Sequence, residues 1–318
     1  MTVPPLLSTE EYLKVLLGKE RPGSSEVLLF YDYRLGVATS DPRLMLLPLD
    51  DHLVHRADGV FEVMKYLDRH IYQLDQHLER MQKSAAATRL EPPCSWDDLG
   101  LLILQLASQA ADRGGPDGII RVFLGRGPGG FGVDPKESPA SSLYIVVSRF
   151  KPKPESWYQK GLKAFRTSVP PRPEQFAHIK NTNYLTAVLM TLEGHDRGAD
   201  VPINFDRNGY LAESAVANIC VVDRAGRLLA PMFTHALPGT TILRAMELLK
   251  GKVECDIRRV PEADLRRGAE VLLLGTSPDC ASIVEYEGQP IGEGEPGPVA
   301  ALLRELIRQD ITTNGTAF

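Results

Sequence analysis

The sequence predicts an α+β protein built from two domains, and three observations carry that expectation. At 318 residues the chain is longer than one hydrophobic core usually serves. Stretches with helical periodicity and short alternating stretches bounded by turn residues are interspersed along its length. A proline-rich passage, Lys151-Pro152-Lys153-Pro154, reads as a linker near mid-chain. The expected division is a smaller α/β domain over 1–150, a linker over 151–160 and a larger domain over 161–318.

From the N-terminus, Ser8 or Thr9 can cap a short helix that carries Glu10 and Glu11 in its first turn and stops at Gly18. Val27 to Tyr33 alternates as a strand. The second half of His55–Tyr66 is another, turning at Asp68-Arg69 into a returning strand from His70 to Leu74. Asp75 is the expected N-cap of the next helix, with Leu74, Leu78 and Met81 as its apolar stripe and Arg80 within it. A longer helix spans about Ser95 to Asp112, with Trp96, Leu99, Leu102, Ile103, Leu106 and Ala110 facing inward, and Gly114-Gly115 ends it. Ile119–Leu124 and Ser142–Phe150 are strand-like and flank a glycine-rich loop. Gly125, Gly127 and Gly130 of that loop satisfy G-x-G-x-x-G, but Pro128 interrupts it and Val133-Asp134-Pro135 follows where a helix must begin. A dinucleotide fingerprint is therefore rejected, and a loop folded close over a ligand stays open.

Beyond the linker, Gly161–Ser168 reads as a strand. Pro202–Asp206 and Tyr210–Ala212 flank an Asn208-Gly209 turn; Ala217–Val222 and Leu228–Ala230 flank Ala225-Gly226. Glu270–Leu274 reads as a buried strand and Pro298–Asp310 as a closing helix.

Composition narrows the function. With 43% hydrophobic and 24% charged residues the chain is an ordinary globular protein, and a net charge of -5 gives no reason to expect nucleic acid or an anionic membrane as partner. No apolar run reaches bilayer length, and Glu10 and Glu11 stand where a signal peptide has an apolar middle. Cys94, Cys220, Cys255 and Cys280 form no C-x-x-C pair, which points to reduced thiols and a cytoplasmic protein. His52 and His55 beside Asp50 and Asp51 lack a further ligand cluster, so no metal is expected.

The chemistry-bearing stretch is Phe176-Ala177-His178-Ile179-Lys180. Pro170, Pro171 and Pro173 precede it, and Tyr184, Leu185, Val188, Leu189 and Leu192 recur after it at helical spacing. Lys180 thus stands at the expected mouth of an apolar helix. Such a setting disfavours the ammonium form and frees the amine to attack a carbonyl; the alternative is a surface lysine at a helix start. Arg80 either meets an anion or pairs with Glu79 or Asp75. Glu213, among small and apolar neighbours, requires a cationic or N–H partner. Leu237-Pro238-Gly239-Thr240-Thr241 opens a helix whose first-turn N–H groups form an anion site, unless Thr240 caps them. Thr276 follows a buried strand and offers a second hydroxyl to a phosphate. A lysine, an arginine, two threonine-bearing anion sites and a buried glutamate jointly suit the aldehyde, phosphate and ring nitrogen of pyridoxal 5'-phosphate.

On these residues the chain resembles the fold type IV class of pyridoxal phosphate enzymes, which includes D-amino acid and branched-chain aminotransferases and 4-amino-4-deoxychorismate lyase. The resemblance runs from about Leu46 to the C-terminus and is densest in His55–Glu62, Leu74–Arg80, Ile179–Leu185, Tyr210–Asn218, Leu237–Thr241 and Leu274–Thr276. It is nearest to plant-type D-amino acid aminotransferases, through Leu47-Pro48-Leu49-Asp50-Asp51-His52 and Ile291-Gly292-Glu293-Gly294. It implies a larger domain with a β-barrel-like core, an internal aldimine on Lys180 and a Glu213 contact to the pyridine nitrogen. It further implies that Arg80, the backbone of Thr240 and Thr241, and Thr276 hold the phosphate, with Tyr184 near the ring hydroxyl. The implied reaction moves an amino group between an amino acid, D-Ala or D-Glu favoured, and a 2-oxo acid, in a homodimer. Arg56, Phe61 and Arg121 are the expected substrate residues, with Asp58 or a strand-end solvent contact as the alternative role of the arginines. The Arg-x-His carboxylate trap of bacillus-type enzymes is absent at Phe131-Gly132-Val133. Aminodeoxychorismate lyase and a branched-chain L-amino acid aminotransferase are the alternatives; Lys180 and Glu213 argue against a non-catalytic binding protein.

Overall fold

The structure, a computed structural model, describes residues 3–318. Its first half opens with helix α1 (Thr9–Leu17), where Ser8 and Glu11 form the capping box. Strands β1 (Val27–Asp32) and β2 (Val37–Thr39) follow, then a single turn of helix, α2 (His52–His55), and β3 (Gly59–Leu67). Asp68 and Arg69 both have positive φ, as a tight twisted hairpin demands, but the returning strand β4 holds only His70–Ile71. The expected strand to Leu74 stops early because Gln73 turns into the left-handed region and stands at the N-cap position of α3 (Leu74–Ala87) without a side-chain cap bond. Asp75, expected as that cap, lies instead in the first turn, where its charge suits the helix dipole. Helix α4 (Trp96–Gly114) is capped by Ser95, and β5 (Gly118–Gly125) and β6 (Ser142–Arg149) complete this part.

These strands form an antiparallel sheet with β3 and β5 at its centre. Alternation sends Val60, Met64, Ile120, Val122 and Leu124 to one face, where Met81 and Ala85 of α3 and Leu99, Ile103 and Leu106 of α4 seal the core. Phe61, Val63, Phe123 and Arg121 fall on the other face, Phe61 paired with Phe123 and Val63 with Arg121. The glycine loop packs on its own chain. A Cβ at Gly127 would stand 1.8 Å from the Ala140 carbonyl, and one at Gly129 2.3 Å from that of Glu137. Close backbone approach explains these glycines without a ligand.

Short helices α5 (Glu155–Gln159) and α6 (Glu174–Ala177) bracket β7 (Leu162–Arg166), followed by α7 (Leu185–Arg197), β8 (Val201–Phe205), β9 (Leu211–Ser214), β10 (Asn218–Val222) and β11 (Leu228–Pro231). Then come α8 (Thr240–Leu248), β12 (Cys255–Arg258), α9 (Glu262–Arg267), β13 (Glu270–Gly275), β14 (Asp279–Tyr286), β15 (Gln289–Pro290) and α10 (Pro298–Asn314). The second sheet is mixed, in the order β12-β11-β10-β13-β14-β7-β8-β9, and curls until β9 lies against β10. Leu162, Val201, Ile203, Ile219, Val221 and Ile283 fill the inside of the curl. Outside it, Ile242 and Ala245 of α8 and Leu303 and Ile307 of α10 pack on Cys220, Leu272 and Leu274. Glu270 accepts the backbone N–H groups of Val299 and Ala300 and so caps α10.

Ties between the two halves include a strand pairing and an ion pair. The final strand, β16 (Thr316–Ala317), pairs with β4 of the first sheet. Fully buried Lys65 of β3 forms an ion pair with Asp279 of β14. The expected α+β architecture is thus borne out. The apolar stripe of α7 departs from expectation: only Met190 and Gly194 are buried, while Leu185, Val188, Leu189 and Leu192 are exposed.

Candidate active site

The chemistry-bearing residues gather where the open face of the first sheet meets the curled one. Lys180 lies in an extended segment that pairs with β3, and α7 begins only at Leu185. The Phe61 N–H donates to the Lys180 carbonyl (2.9 Å), the Thr182 N–H to that of Gly59 (2.9 Å), and the Lys180 N–H to Ser84 Oγ (3.1 Å). These bonds fix the lysine backbone and aim its side chain across Phe61. Its Nζ sits 4.5 Å from the Phe61 ring centre and 3.3 Å from the Tyr184 hydroxyl oxygen. The Tyr184 ring meets Phe61 edge-on, with centroids 5.0 Å apart. The expected apolar floor exists, but Phe61 supplies it, not the α7 stripe. Among the described residues no carboxylate pairs with this amine.

Glu213 lies within β9, whose edge brings it to the same cavity. Its two partners are the kinds its surroundings required. Arg172 Nη2 donates to Oε1 at 3.0 Å and the Leu237 N–H to Oε2 at 3.0 Å. Two carboxylate oxygens carry about four acceptor positions, so room remains for a further donor. Arg172 also donates to the carbonyls of Ile179 (3.2 Å) and Ala177 (3.3 Å), which couples Glu213 to the segment bearing Lys180. Sequence reasoning missed Arg172. The signal was available: a buried carboxylate in need of a cation, and one arginine set among the prolines immediately before the lysine.

At the opposite end, Arg80 binds Glu62 side-on, Nε to Oε1 and Nη2 to Oε2, both at 2.7 Å. Neither Glu79 nor Asp75 is its partner. Burial works to raise the Glu62 carboxyl, yet the Arg80 charge and hydrogen bonds together with His77 hold it down at about 2. This clasp leaves Arg80 Nη1 free to meet an anion. Helix α8 starts beside it with Gly239 as N-cap and no side-chain cap, so Thr240 does not cap the helix and its first-turn N–H groups keep their capacity. Thr240 and Thr241 are both buried. Thr276 stands just past β13, with Oγ1 3.5 Å from the Val63 carbonyl.

One cavity is lined by Arg80, Arg172, Lys180, Tyr184, Glu213, Thr240, Thr241 and Thr276. An adjoining cleft shares Lys180, Tyr184 and Thr276 and adds Phe61, Val63 and Trp157. Neither is lined by Arg56 or Arg121. Arg56 is engaged with carbonyls of its own surroundings, those of His55 (3.0 Å), Gly132 (2.9 Å) and Phe131. Asp58, its anticipated partner, pairs with Arg126. Arg121 projects from the open sheet face beside Val63 and has Ser148 Oγ at 3.0 Å; burial lowers its pKa, and no carboxylate among the described residues offsets it.

Residues 59–286 match the family profile "Amino-transferase class IV". The chain is 32% identical over 316 residues to the chloroplastic D-amino-acid transaminase of Arabidopsis thaliana, covering 96% of this chain and 82% of that one. It is 25% identical to a putative branched-chain-amino-acid aminotransferase of Methanocaldococcus jannaschii, covering 83% and 90% of the two chains. Its fold matches the branched-chain aminotransferase of the archaeon Thermoproteus uzoniensis, solved with norvaline, at a TM-score of 0.81, with 19% identity and 90% and 95% of the chains covered. An amine on an aromatic floor, a carboxylate with acceptor capacity to spare and an uncapped helix start beside an arginine suit one cofactor. With the family profile across most of the sequence, they make this chain a member of the class IV aminotransferases, which are pyridoxal phosphate-dependent enzymes.

Proposed function

We propose that this enzyme transfers an amino group between a D-amino acid and a 2-oxo acid, with Lys180 as its catalytic residue. The observation that carries the reading is the Lys180 amine: free of any carboxylate among the described residues, beside the Tyr184 hydroxyl, and opening on a cavity that ends at the bare start of α8. The Arabidopsis relative, named for D-amino acids, supports that substrate class.

Pyridoxal phosphate, when bound, supplies the aldehyde that captures an amino group and a ring that takes up the electron pair released at the substrate α-carbon. The residues divide the remaining work. Lys180 takes the α-proton and returns it. Glu213 would accept a hydrogen bond from the ring nitrogen, with Arg172 as its cationic partner. Arg80, the N–H groups of Thr240 and Thr241, and Thr276 hold the phosphate, while Tyr184 serves the ring hydroxyl. Phe61 walls the substrate side. Arg121, a desolvated guanidinium without an anion, is the better candidate for a substrate carboxylate, since Arg56 is committed to the glycine loop.

The exposed Leu185, Val188, Leu189 and Leu192 stripe supports a homodimer, because such a continuous apolar helix face calls for cover. We also infer domain limits at 1–150 and 161–318, joined by 151–160, and a cytoplasmic setting, supported by four free thiols. No helix among the described residues is long and apolar enough to cross a membrane.

The test is keto acid formation from D-Ala, L-Leu and 4-amino-4-deoxychorismate in parallel, on enzyme whose bound cofactor is verified by visible absorbance. Turnover of D-Ala above L-Leu is expected. L-Leu alone would move the reading to a branched-chain enzyme, and release of 4-aminobenzoate and pyruvate to the lyase.

A further inference from the structure

Behind the start of α8, side chains from three elements form a continuous hydrogen-bonded chain: Glu62 of β3, His77 of α3 and Thr240 of α8. All three are buried, at 0%, 2% and 6% exposure. Arg80 holds both carboxylate oxygens, so Glu62 is an anion and only accepts. Its Oε2 lies 2.7 Å from His77 Nδ1, which must therefore carry a hydrogen. Arg80 Nη2 is 3.4 Å from the same nitrogen, but a bare Nδ1 would set two lone pairs against each other at the shorter contact. Burial disfavours the imidazolium; Glu62 opposes that effect, and the charges of Arg80 and Lys180 add to it. Nε2 of the neutral ring is then a lone pair. Its neighbour, Thr240 Oγ1 at 3.4 Å, has to supply the hydrogen. The Thr240 hydroxyl hydrogen consequently points away from the cavity, and an arriving phosphate would meet oxygen lone pairs.

We propose that His77 is a positioning residue for the phosphate end of the site: when a phosphoryl group occupies it, His77 takes up a proton at Nε2, donates it in a hydrogen bond to Thr240, and so turns the threonine hydroxyl onto a phosphoryl oxygen. One proton enters from solvent and no bond between heavy atoms forms or breaks. The groups facing the ring are Glu62 from β3, Arg80 on its own helix, Thr240 from α8 and Lys180 across the cavity. A dianion beside Arg80 offsets the two cations that oppose the imidazolium, while Glu62 continues to favour it. The inference rests on the reading of Arg80 and the α8 start as the phosphate end.

Phenyl phosphate tests it, having no aldehyde for Lys180 and no ring nitrogen for Glu213. Its binding to the cofactor-free enzyme is followed calorimetrically in buffers of different protonation enthalpy, from about pH 7 to 9, above the second ionisation of a phosphate monoester at about 6. Proton uptake at the lower end, fading toward the upper, is expected, and His77→Gln should bind with that uptake abolished. Binding without uptake in the wild type, or uptake that persists in His77→Gln, overturns the inference. Absence of any binding overturns the phosphate assignment and this inference with it. If His77→Gln does not fold, nitrogen NMR of the wild-type imidazole decides: Nε2 gaining a hydrogen on phenyl phosphate addition is expected, and an unchanged signal refutes the idea.

Discussion

Replacing Glu62 with glutamine should weaken the fold at neutral pH and weaken it much less in acid. Burial alone would lift this carboxyl; the charge and paired hydrogen bonds of Arg80, with His77, bring it from 4.5 to about 2. A depression of that size corresponds to roughly 3 kcal/mol favouring the charged, folded form. The variant also strands the Arg80 guanidinium, whose side chain is only 11% exposed, and losing one partner of a buried pair costs about 3–5 kcal/mol. Because the folded pKa is depressed, the Glu62 contribution is fully present above about pH 4.5 and disappears as pH falls through about 2. Urea unfolding of cofactor-free wild type and Glu62→Gln should therefore differ by about 3 kcal/mol at about pH 7, and by about 1–1.5 kcal/mol at about pH 3. An equal deficit at both pH values would show that lost packing, not charge, explains the effect. No deficit at neutral pH would refute the clasp altogether.

Lys180→Ala should lose the visible absorbance of covalently bound cofactor and transamination together; retention of both would dismiss Lys180 as the nucleophile. Arg172→Met removes the cation beside Glu213 and should lower kcat by roughly 10–100-fold, the range for a hydrogen bond to a charged group, with KM for the amino acid little changed and Arg172→Lys recovering part of the loss. Arg121→Met should raise the amino acid KM by a similar factor of about 10–100. Arg56→Met should act mainly through the loop it clasps, and the reverse ranking of KM effects would exchange the two roles. If α7 packs in the proposed homodimer, the wild type should sediment as a dimer and Leu189→Glu, on the exposed stripe, as a monomer; a wild-type monomer refutes the dimer, and an unchanged variant mass removes this face from it.

Much of the fold is legible in the sequence because local rules and packing agree along most of the chain. The Ser8 cap and the positive φ values at Gly209 and Gly226 reproduce the expected cap and turns, and Ser95, expected only as the start of its helix, caps it. Disagreement arises where a tertiary demand overrides a local preference. Asp75 is a good cap in isolation, but Gln73, with a left-handed backbone, takes the N-cap position, and the α3 that follows presents Arg80 and His77 to Glu62. The periodicity of α7 is apolar as its sequence indicates, yet periodicity marks a face and does not say what covers it. Lys180, Glu213, Thr240 and Thr276 are each legible as residue types. Their partners are not, because Glu62 and Arg172 become meaningful only when β3 meets α3 and the proline segment meets β9.

The partners also explain how one cavity can accept both a dianion and a ring cation without large charges standing idle. Each arginine of the cavity has its own carboxylate, Glu62 for Arg80 and Glu213 for Arg172. In the proposed phosphate site Arg80 would thus add direction, with the remaining attraction coming from the N–H groups of α8. Glu213 keeps acceptor positions toward the cavity while one oxygen is held by Arg172 and the other by the Leu237 N–H. Lys180 is the cavity's one basic side chain without a carboxylate partner among the described residues. A guanidinium stays protonated at working pH whether paired or not, so the amine of Lys180, with no carboxylate held against it, is the side chain of this cavity that fits the proposed nucleophile.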